Sequence, residues 1–252
     1  MEKLNKDELS VVVMNLDLPD LLSLCESSTE LKNKVCDNPN VWNYKLDKDY
    51  PEYKELDLSF LSPYSPREMY VFMYQLSYIK KLLNRNSILK NIFLSKQLDL
   101  SYKKLKKVPA FNLPNLESLY LQNNQLKEVP RFNLPNLQTL FLSSNQLRKV
   151  PDFNNLPNLK KLHLQNNQLR EIPSFNLPNL QSLFLNDNQF KEVPSFNLPN
   201  LQELYLSHNN QLTTIPSFDL PNLKELYLVN NKQLIEVPYF NLPKLQKEQR
   251  QN

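Results

Sequence analysis

The chain has 252 residues and a formal charge of +4, which leaves room for one or two domains and a sizeable core. The basic excess is small and interleaved with glutamate, so it describes a solvated surface and argues against a nucleic-acid partner. Glycine is absent altogether. Phosphate-cradling loops that need close backbone approach are therefore excluded, and turns must rely on Asn, Asp, Pro and Lys.

Residues 1–64 carry 7 Lys and Arg against 13 Asp and Glu, a local charge of −6. Asn5 with Glu8 forms a capping box for a first helix, followed by Leu9, Val12, Val13 and Leu16 at helical spacing. Asp17 caps a second helix carrying Leu18, Leu21, Leu22 and Cys25. Ser27 with Glu30 predicts a third start, with Leu31 and Val35 on one face. Asp37-Asn38-Pro39 then breaks the chain, and Val41, Trp42 and Leu46 open a fourth segment. Such a unit has a thin core and wants a neighbour or a partner.

Leu4 and Glu8, LDLPDLLSLCESSTELK (16–32) and DNPNVW (37–42) resemble an F-box. Asn5 stands where that family usually has proline, and Leu31 where it often has tryptophan. The resemblance implies docking on the adaptor subunit of a cullin–RING ubiquitin ligase, through the apolar faces near Leu4, Leu9, Leu16, Leu18, Leu21 and Leu22. The alternative is that these leucines form only the core of a helical cap for the remainder of the chain.

The N-terminus is charged and lacks a signal-peptide apolar core, and the run VVVM is far too short to span a membrane. Cys25 and Cys36 are the two cysteines, and no N-x-S/T sequon occurs. These features predict an intracellular, cytoplasmic protein with two free, buried thiols and no membrane partner.

Residues 51–94 read as a linker and a capping helix. Ser65, Pro66 and Glu68 make a helix start. Met69, Phe72, Met73, Leu76, Ile79 and Leu83 share one helical face, and Ile88, Ile92 and Phe93 continue apolar. The expected role is to cover the first end of the array, which would otherwise present apolar edges to water.

From residue 95 one unit recurs. Copies open at Leu116, Leu137, Leu159, Leu180, Leu201 and Leu223, spaced 21, 22, 21, 21 and 22 residues, with a weaker copy over 95–115. The pattern L-x-x-L-x-L-x-x-N-x-L-x-x-V-P-x-F-N-L-P-N resembles the leucine-rich-repeat family over residues 95–245. In L-x-L the side chains alternate, so Leu119 and Leu121 point inward and Tyr120 outward. Asn124, Asn145, Asn167, Asn188, Asn209 and Asn231 fill the N position, with Lys103 there in the first copy. In the family this amide turns inward and bonds backbone groups of the turn. Two prolines per copy forbid a regular helix on the returning side. Extended or short 3₁₀ segments are expected there, with Val129, Phe132, Leu134 and their equivalents inward. The fold class is thus an α+β repeat: a leucine-rich-repeat solenoid with short parallel strands and a helix-poor convex side, preceded by a small all-α F-box-like domain. The segments are 1–50 F-box-like, 51–94 linker and cap, 95–245 seven repeats, and 246–252 a polar tail expected to fray.

The concave strand face is the candidate site. Tyr120, Phe141, His163, Phe184, Tyr205 and Tyr227 form one outward column, with Asp99 before them and Lys161, Glu203 and Glu225 beside them. Such rings can stiffen the sheet by stacking, and they can also anchor a protein target. Outward Phe141 and Phe184 favour a covering partner. His163 and His208 are the two histidines, and neither has a metal-ligand companion in sequence. No catalytic residue, metal or cofactor is expected, and the protein is read as a monomer apart from its partners.

The whole combination resembles F-box/leucine-rich-repeat proteins. Its uniform, Lys- and Asn-rich, glycine-free repeats look like those of large DNA viruses of amoebae, for which the location would be the host cytoplasm. The resemblance implies a ligase substrate receptor and no enzymatic activity of its own. The alternative is a stand-alone leucine-rich-repeat scaffold whose N-terminal helices only cap the array.

Overall fold

The computed structural model describes residues 13, 15–27, 29, 32–56, 65–83, 89–240 and 242–250. Leu4, Asn5, Glu8, Leu9, Val12, Glu30, Leu31 and Ile88 lie outside the described residues, and with them the first capping box and half of the Ser27–Glu30 pair. The chain forms two compact units, 1–92 and 93–252.

In the first unit, α1 spans Leu18–Ser27. Asp17 caps it as expected, its Oδ1 accepting from Asp20 N–H at 3.0 Å. At the end of α1 the Ser27 hydroxyl donates back to Leu24 O at 2.7 Å. A single π-helical turn follows, Lys32–Cys36, closed by Asp37 N–H on Lys32 O at 3.0 Å. α2 spans Pro39–Asp49, with Asn38 as its cap and Pro39 in the first turn, where a missing N–H breaks no helical bond. Pro51–Glu55 is a 3₁₀ turn.

α3 spans Pro66–Leu83 and α4 Leu89–Phe93. The predicted capping box forms at the start of α3: Ser65 N–H donates to Glu68 Oε2 at 2.7 Å and Glu68 N–H to Ser65 Oγ at 3.3 Å. Two backbone donors near the helix start are thereby satisfied. Phe72, Met73, Leu76 and Ile79 are buried on one face, as their spacing predicts.

Trp42 is buried against Tyr70, ring centroids 5.5 Å apart, and its Nε1 donates to Cys36 O at 2.8 Å. Lys45 beside it is only 1% exposed. Its Nζ donates to Leu16 O at 2.8 Å and meets Asp49 Oδ2 at 3.1 Å, and Tyr70 OH donates to the same oxygen at 2.6 Å. A buried charge is tolerable only when paired in this way. Cys25 and Cys36 are joined as a disulfide. The expectation of two free thiols is corrected, which removes one ground for a reducing compartment.

In the second unit eight three-residue strands form one parallel sheet in chain order. They are β1 Gln97–Asp99, β2 Ser118–Tyr120, β3 Thr139–Phe141 and β4 Lys161–His163. β5 Ser182–Phe184, β6 Glu203–Tyr205, β7 Glu225–Tyr227 and β8 Lys247–Gln249 complete it. The repeats stack in step, so Leu98, Leu119, Leu140, Leu162, Leu183, Leu204 and Leu226 form one buried column. Each such side chain contributes roughly 1.5–3 kcal/mol by burial.

Within the tail, Lys247–Gln249 continue the sheet. Lys247 N–H donates to Lys224 O at 2.9 Å and Leu228 N–H to Gln249 O at 2.8 Å, making β8 an eighth strand. Leu245-Gln-Lys-Glu248-Gln-Arg250 keeps the repeat spacing but puts Glu248 and Arg250 where earlier copies have leucine. Arg250 Nε meets Glu248 Oε1 at 2.6 Å, and its guanidinium lies 5.5 Å from the Phe240 ring centroid, which gives the last core ring a charged lid.

On the return side Val129, Phe132 and Leu134 are buried, with the rings of successive copies in contact, as in Phe111–Phe132 at 5.4 Å and Phe218–Phe240 at 5.4 Å. Of the extended or short 3₁₀ segments expected there, the described residues take the extended form. The chain is extended, broken by single hydrogen-bonded turns such as Leu137 N–H on Leu134 O at 3.0 Å.

The asparagine column is buried, each member 8% exposed or less. Asn145 is typical. Its Oδ1 accepts from Leu126 N–H of the preceding copy at 3.0 Å. Its Nδ2 donates to Leu121 O at 2.9 Å and Leu142 O at 3.1 Å. An amide alone supplies both donor and acceptor here. Where a copy carries an inserted residue the ladder shifts: Asn231 Oδ1 takes Asn209 N–H at 2.7 Å, and Asn209 Oδ1 has no protein partner. Each turn places one residue in the left-handed region, φ 54–61°, at Asn123, Ser144, Asn166, Asp187, His208 and Asn230. Without glycine these positions carry a backbone cost of about 1–2 kcal/mol apiece, held in place by the ladder beside them.

Candidate functional site

The six outward rings stack into one continuous column. Centroid separations run from 5.1 Å (Tyr120–Phe141) through 4.0 Å (Phe141–His163), 4.2 Å (His163–Phe184) and 4.6 Å (Phe184–Tyr205) to 4.4 Å (Tyr205–Tyr227). Planes tilt by 8–18°. Parallel strands recur at about 4.8 Å, so the sheet itself sets a near-stacking distance. Each ring is half-buried because its faces are covered by its neighbours. Isolated solvent-facing phenylalanines are therefore not what the fold presents. The column offers edges to solvent, and ring edges carry the positive side of the aromatic quadrupole.

The ends of the column are closed differently. Lys247 of β8 puts its Nζ 5.0 Å from the Tyr227 ring centroid, a cation over the last ring face. At the other end Asp99 occupies the ring position without a ring. Its Oδ1 accepts from Ser101 Oγ at 2.6 Å and Ser101 N–H at 2.9 Å, and these bonds hold its carboxyl below the usual value.

Along one side of the rings run Ser118, Thr139, Lys161, Ser182, Glu203 and Glu225. Lys161 is exposed, while Glu203 and Glu225 are half-buried. Glu225 Oε2 accepts from Tyr227 OH at 2.9 Å and Tyr205 OH at 3.2 Å. Burial first, then the neighbouring Tyr227 and Glu225, pushes the Tyr205 phenol above its ordinary value. The C-terminal half of the face thus offers carboxylates bound to phenols, and the middle offers a lysine.

His163 sits in the stack as a neutral ring. Burial, with the Lys161 charge second, lowers its pKa from 6.5 to about 4. Gln165 Nε2 lies 3.4 Å from its Nδ1, which can accept when unprotonated. Because the folded value lies below the unfolded one, the unfolded chain binds the extra proton between pH 6.5 and 4. Stability contributed by His163 is therefore full above pH 6.5 and lost as pH falls towards 4. With solvent screening the expected loss is about 1–2 kcal/mol. Thermal unfolding at both pH values for the native chain and for His163→Phe isolates it. Equal pH sensitivity of the two would refute the assignment.

The proposed adaptor contacts divide. Leu18 and Leu21 are 5% and 0% exposed, buried in the first unit's own core. Leu16 and Leu22 are half-buried. Leu22 lines an open cleft of about 540 Å³ with Cys25, Glu26, Thr29, Lys32 and Arg67. Leu4 and Leu9 are outside the described residues.

Three features were not anticipated from the sequence. One is Lys247 on the column. Another is buried Lys45, one of many lysines with no local signal. The third is a second amide ladder: Asn136, Asn158, Asn179, Asn200 and Asn222 each donate Nδ2 to a proline carbonyl one copy back, at 2.7–2.9 Å. The repeated Pro-Asn pair at the end of each copy was its visible signal. Among the described residues no three His, Cys, Asp or Glu could hold a metal ion, and no helix is long and apolar enough to cross a membrane.

The family model for leucine-rich repeats (2 copies) matches residues 96–133, 135–177 and 178–220. The solved structure of YopM, a leucine-rich effector protein from Yersinia pestis, is similar with a TM-score of 0.58 at 24% identity, over 71% of this chain and 53% of that one. InlP of Listeria monocytogenes is similar with a TM-score of 0.56 at 28% identity, over 69% of this chain and 62% of that one. The chain thus spans less than two thirds of the length of either. No curated protein sequence matches it. Taken with the strand register and the buried asparagine ladder, these matches identify residues 96–220 as leucine-rich repeats and the array they build as a leucine-rich-repeat solenoid.

Proposed function

We propose that the chain is a non-enzymatic protein-interaction scaffold whose concave column of rings holds a protein target. The supporting observation is the unbroken run from Tyr120 to Tyr227, rigid by mutual stacking and flanked by Lys161, Glu203 and Glu225. Aromatic surface already ordered before binding loses little entropy on contact, which suits it to anchor a partner. The test is loss of target binding when the rings are altered and the fold is kept.

A finer role follows from the resemblance of DLPDLLSLC and NPNVW to an F-box. In it the first unit docks the adaptor of a cullin–RING ubiquitin ligase, and the array presents a target for ubiquitin transfer by other subunits. Half-buried Leu16 and Leu22 are the described residues left to meet the adaptor. A stand-alone scaffold needs no such contact. A pull-down of the full chain with the adaptor decides between them. Retention that falls at least tenfold on Leu22→Asp (about 1.4 kcal/mol) supports the receptor, and no retention where a known F-box binds leaves the scaffold alone. The receptor role also requires the cytoplasm, of a host cell if the source is viral. There the Cys25–Cys36 pair would be reduced, which thiol alkylation of the protein in cells reads directly.

A further inference from the structure

One outward position of the array keeps its charge while it changes its residue. Seven residues after the outward residue of successive strands stand Lys106, Lys127, Arg148, Arg170 and Lys191, all exposed. The copies are tied together beside them. Gln125, Gln146, Gln168 and Gln189 N–H each donate to a leucine carbonyl one copy back at 2.8–2.9 Å, and each of those leucines directly precedes a cation. The five cations therefore form one column, stepping by about 4.8 Å at the backbone.

Neighbouring positions do not keep one sign. The next one reads Lys107, Glu128, Lys149, Glu171 and Glu192, and the one between proline and phenylalanine includes both Arg131 and Asp152. Elsewhere in the array cations meet acids of the adjacent copy, Lys96 with Glu117 at 2.9 Å and Arg131 with Asp152 at 3.3 Å. Among the described residues none of the five column cations is in an ion pair. Like charges opposite one another on adjacent chains are destabilising, so the column works against the array that carries it until an anion covers it. The column also stops inside the array, where Thr213 takes the same position.

We propose that this column docks an extended acidic segment of a protein partner, on a surface distinct from the ring column. Five cations at that step span about 19 Å, the length of about six extended residues at about 3.3 Å each. A run of Asp and Glu over that length sets carboxylates along the whole column and removes its self-repulsion. Glu128, Glu171 and Glu192 beside the column select a peptide over a nucleic acid. A peptide brings backbone N–H donors that those carboxylates can accept, whereas a phosphodiester chain brings them only further negative charge.

Fluorescence anisotropy of a labelled oligoglutamate peptide, titrated with the full chain at about 50 mM salt, tests this. The peptide should bind, and its affinity should fall as salt rises. Arg148→Glu with Arg170→Glu should weaken binding about tenfold or more. Lys160→Glu with Lys244→Glu changes the net charge equally but away from the column, and should weaken it less than about threefold. All four sites are exposed, so the circular dichroism of the array should be unchanged. Phe141→His with Phe184→His and Tyr205→His should leave peptide binding intact, which separates this surface from the ring column and its target. No binding at that salt, equal losses from the two charge-matched pairs, loss in the ring variant, or tighter binding of an oligothymidylate of the same charge would each overturn the proposal.

Discussion

Replacing Asn145 with leucine is expected to lower the stability of the array by about 3–5 kcal/mol. The side chain is of similar size, so the loss does not come from a cavity. It comes from Leu126 N–H, which leucine leaves without an acceptor, and from Leu121 O and Leu142 O, which each lose one of two amide donors and keep the other, Asn124 Nδ2 and Asn167 Nδ2. The buried N–H left unpaired costs about 1–3 kcal/mol, and each hydrogen bond lost from a carbonyl that keeps another donor about 0.5–1.5 kcal/mol. Asn145→Asp should be nearly as damaging, because it faces a carboxylate towards two carbonyls. Differential scanning calorimetry should show a fall of about 10 °C in the unfolding temperature of the array. Hydrogen exchange should quicken first around residues 121–145, since repeats lend stability mainly to their neighbours. A loss below about 1 kcal/mol would mean that water can enter and replace the amide.

Changing Phe141, Phe184 and Tyr205 together to serine breaks all five ring contacts in the column. At about 0.5–1.5 kcal/mol per stacked pair the expected cost is about 3–6 kcal/mol, with the leucine core left intact. An identified target should lose about a hundredfold in affinity, near 2.7 kcal/mol. Structural damage and lost contact would be confounded in this variant alone. Changing the same three residues to histidine separates them, because His163 already stacks between two phenylalanines at 4.0 and 4.2 Å. The histidine variant should keep its unfolding temperature at pH 7.5 within a few degrees while still losing target affinity at least tenfold. Target affinity within about threefold of native in both variants would leave the rings with a structural role only.

The array was legible because its signals are local and repeated. Leucine alternation gives strand direction, proline pairs exclude helix on the return side, and asparagine at one phase marks the turn. What escaped depends on neighbours that periodicity does not name. Lys247 belongs to a copy whose leucines have become Glu248 and Arg250, so a pattern of leucines passes over β8. The rings were placed correctly on one face, but their mutual burial comes from a stacking distance set by the sheet, and that requires the register. In the first unit, the spacing of Asp17 and of Ser65 with Glu68 foretold caps that form. The same spacing at Ser27 did not foretell its bond back to Leu24. Buried Lys45 looks in sequence like any surface lysine. It is Asp49, one helical turn on, and Tyr70, from another helix, that make its burial tolerable.

The position of Trp42 gives each unit its own optical signal. It is the chain's one tryptophan, 1% exposed in the first unit, so emission excited at the red edge comes from that unit alone. The tyrosines and phenylalanines of the column stand in fixed, close, near-parallel order. Such order should give the array a near-ultraviolet dichroic band that vanishes when the stack opens. Two wavelengths followed during one denaturant titration would then separate the melting of the helices from that of the repeats, with no label attached.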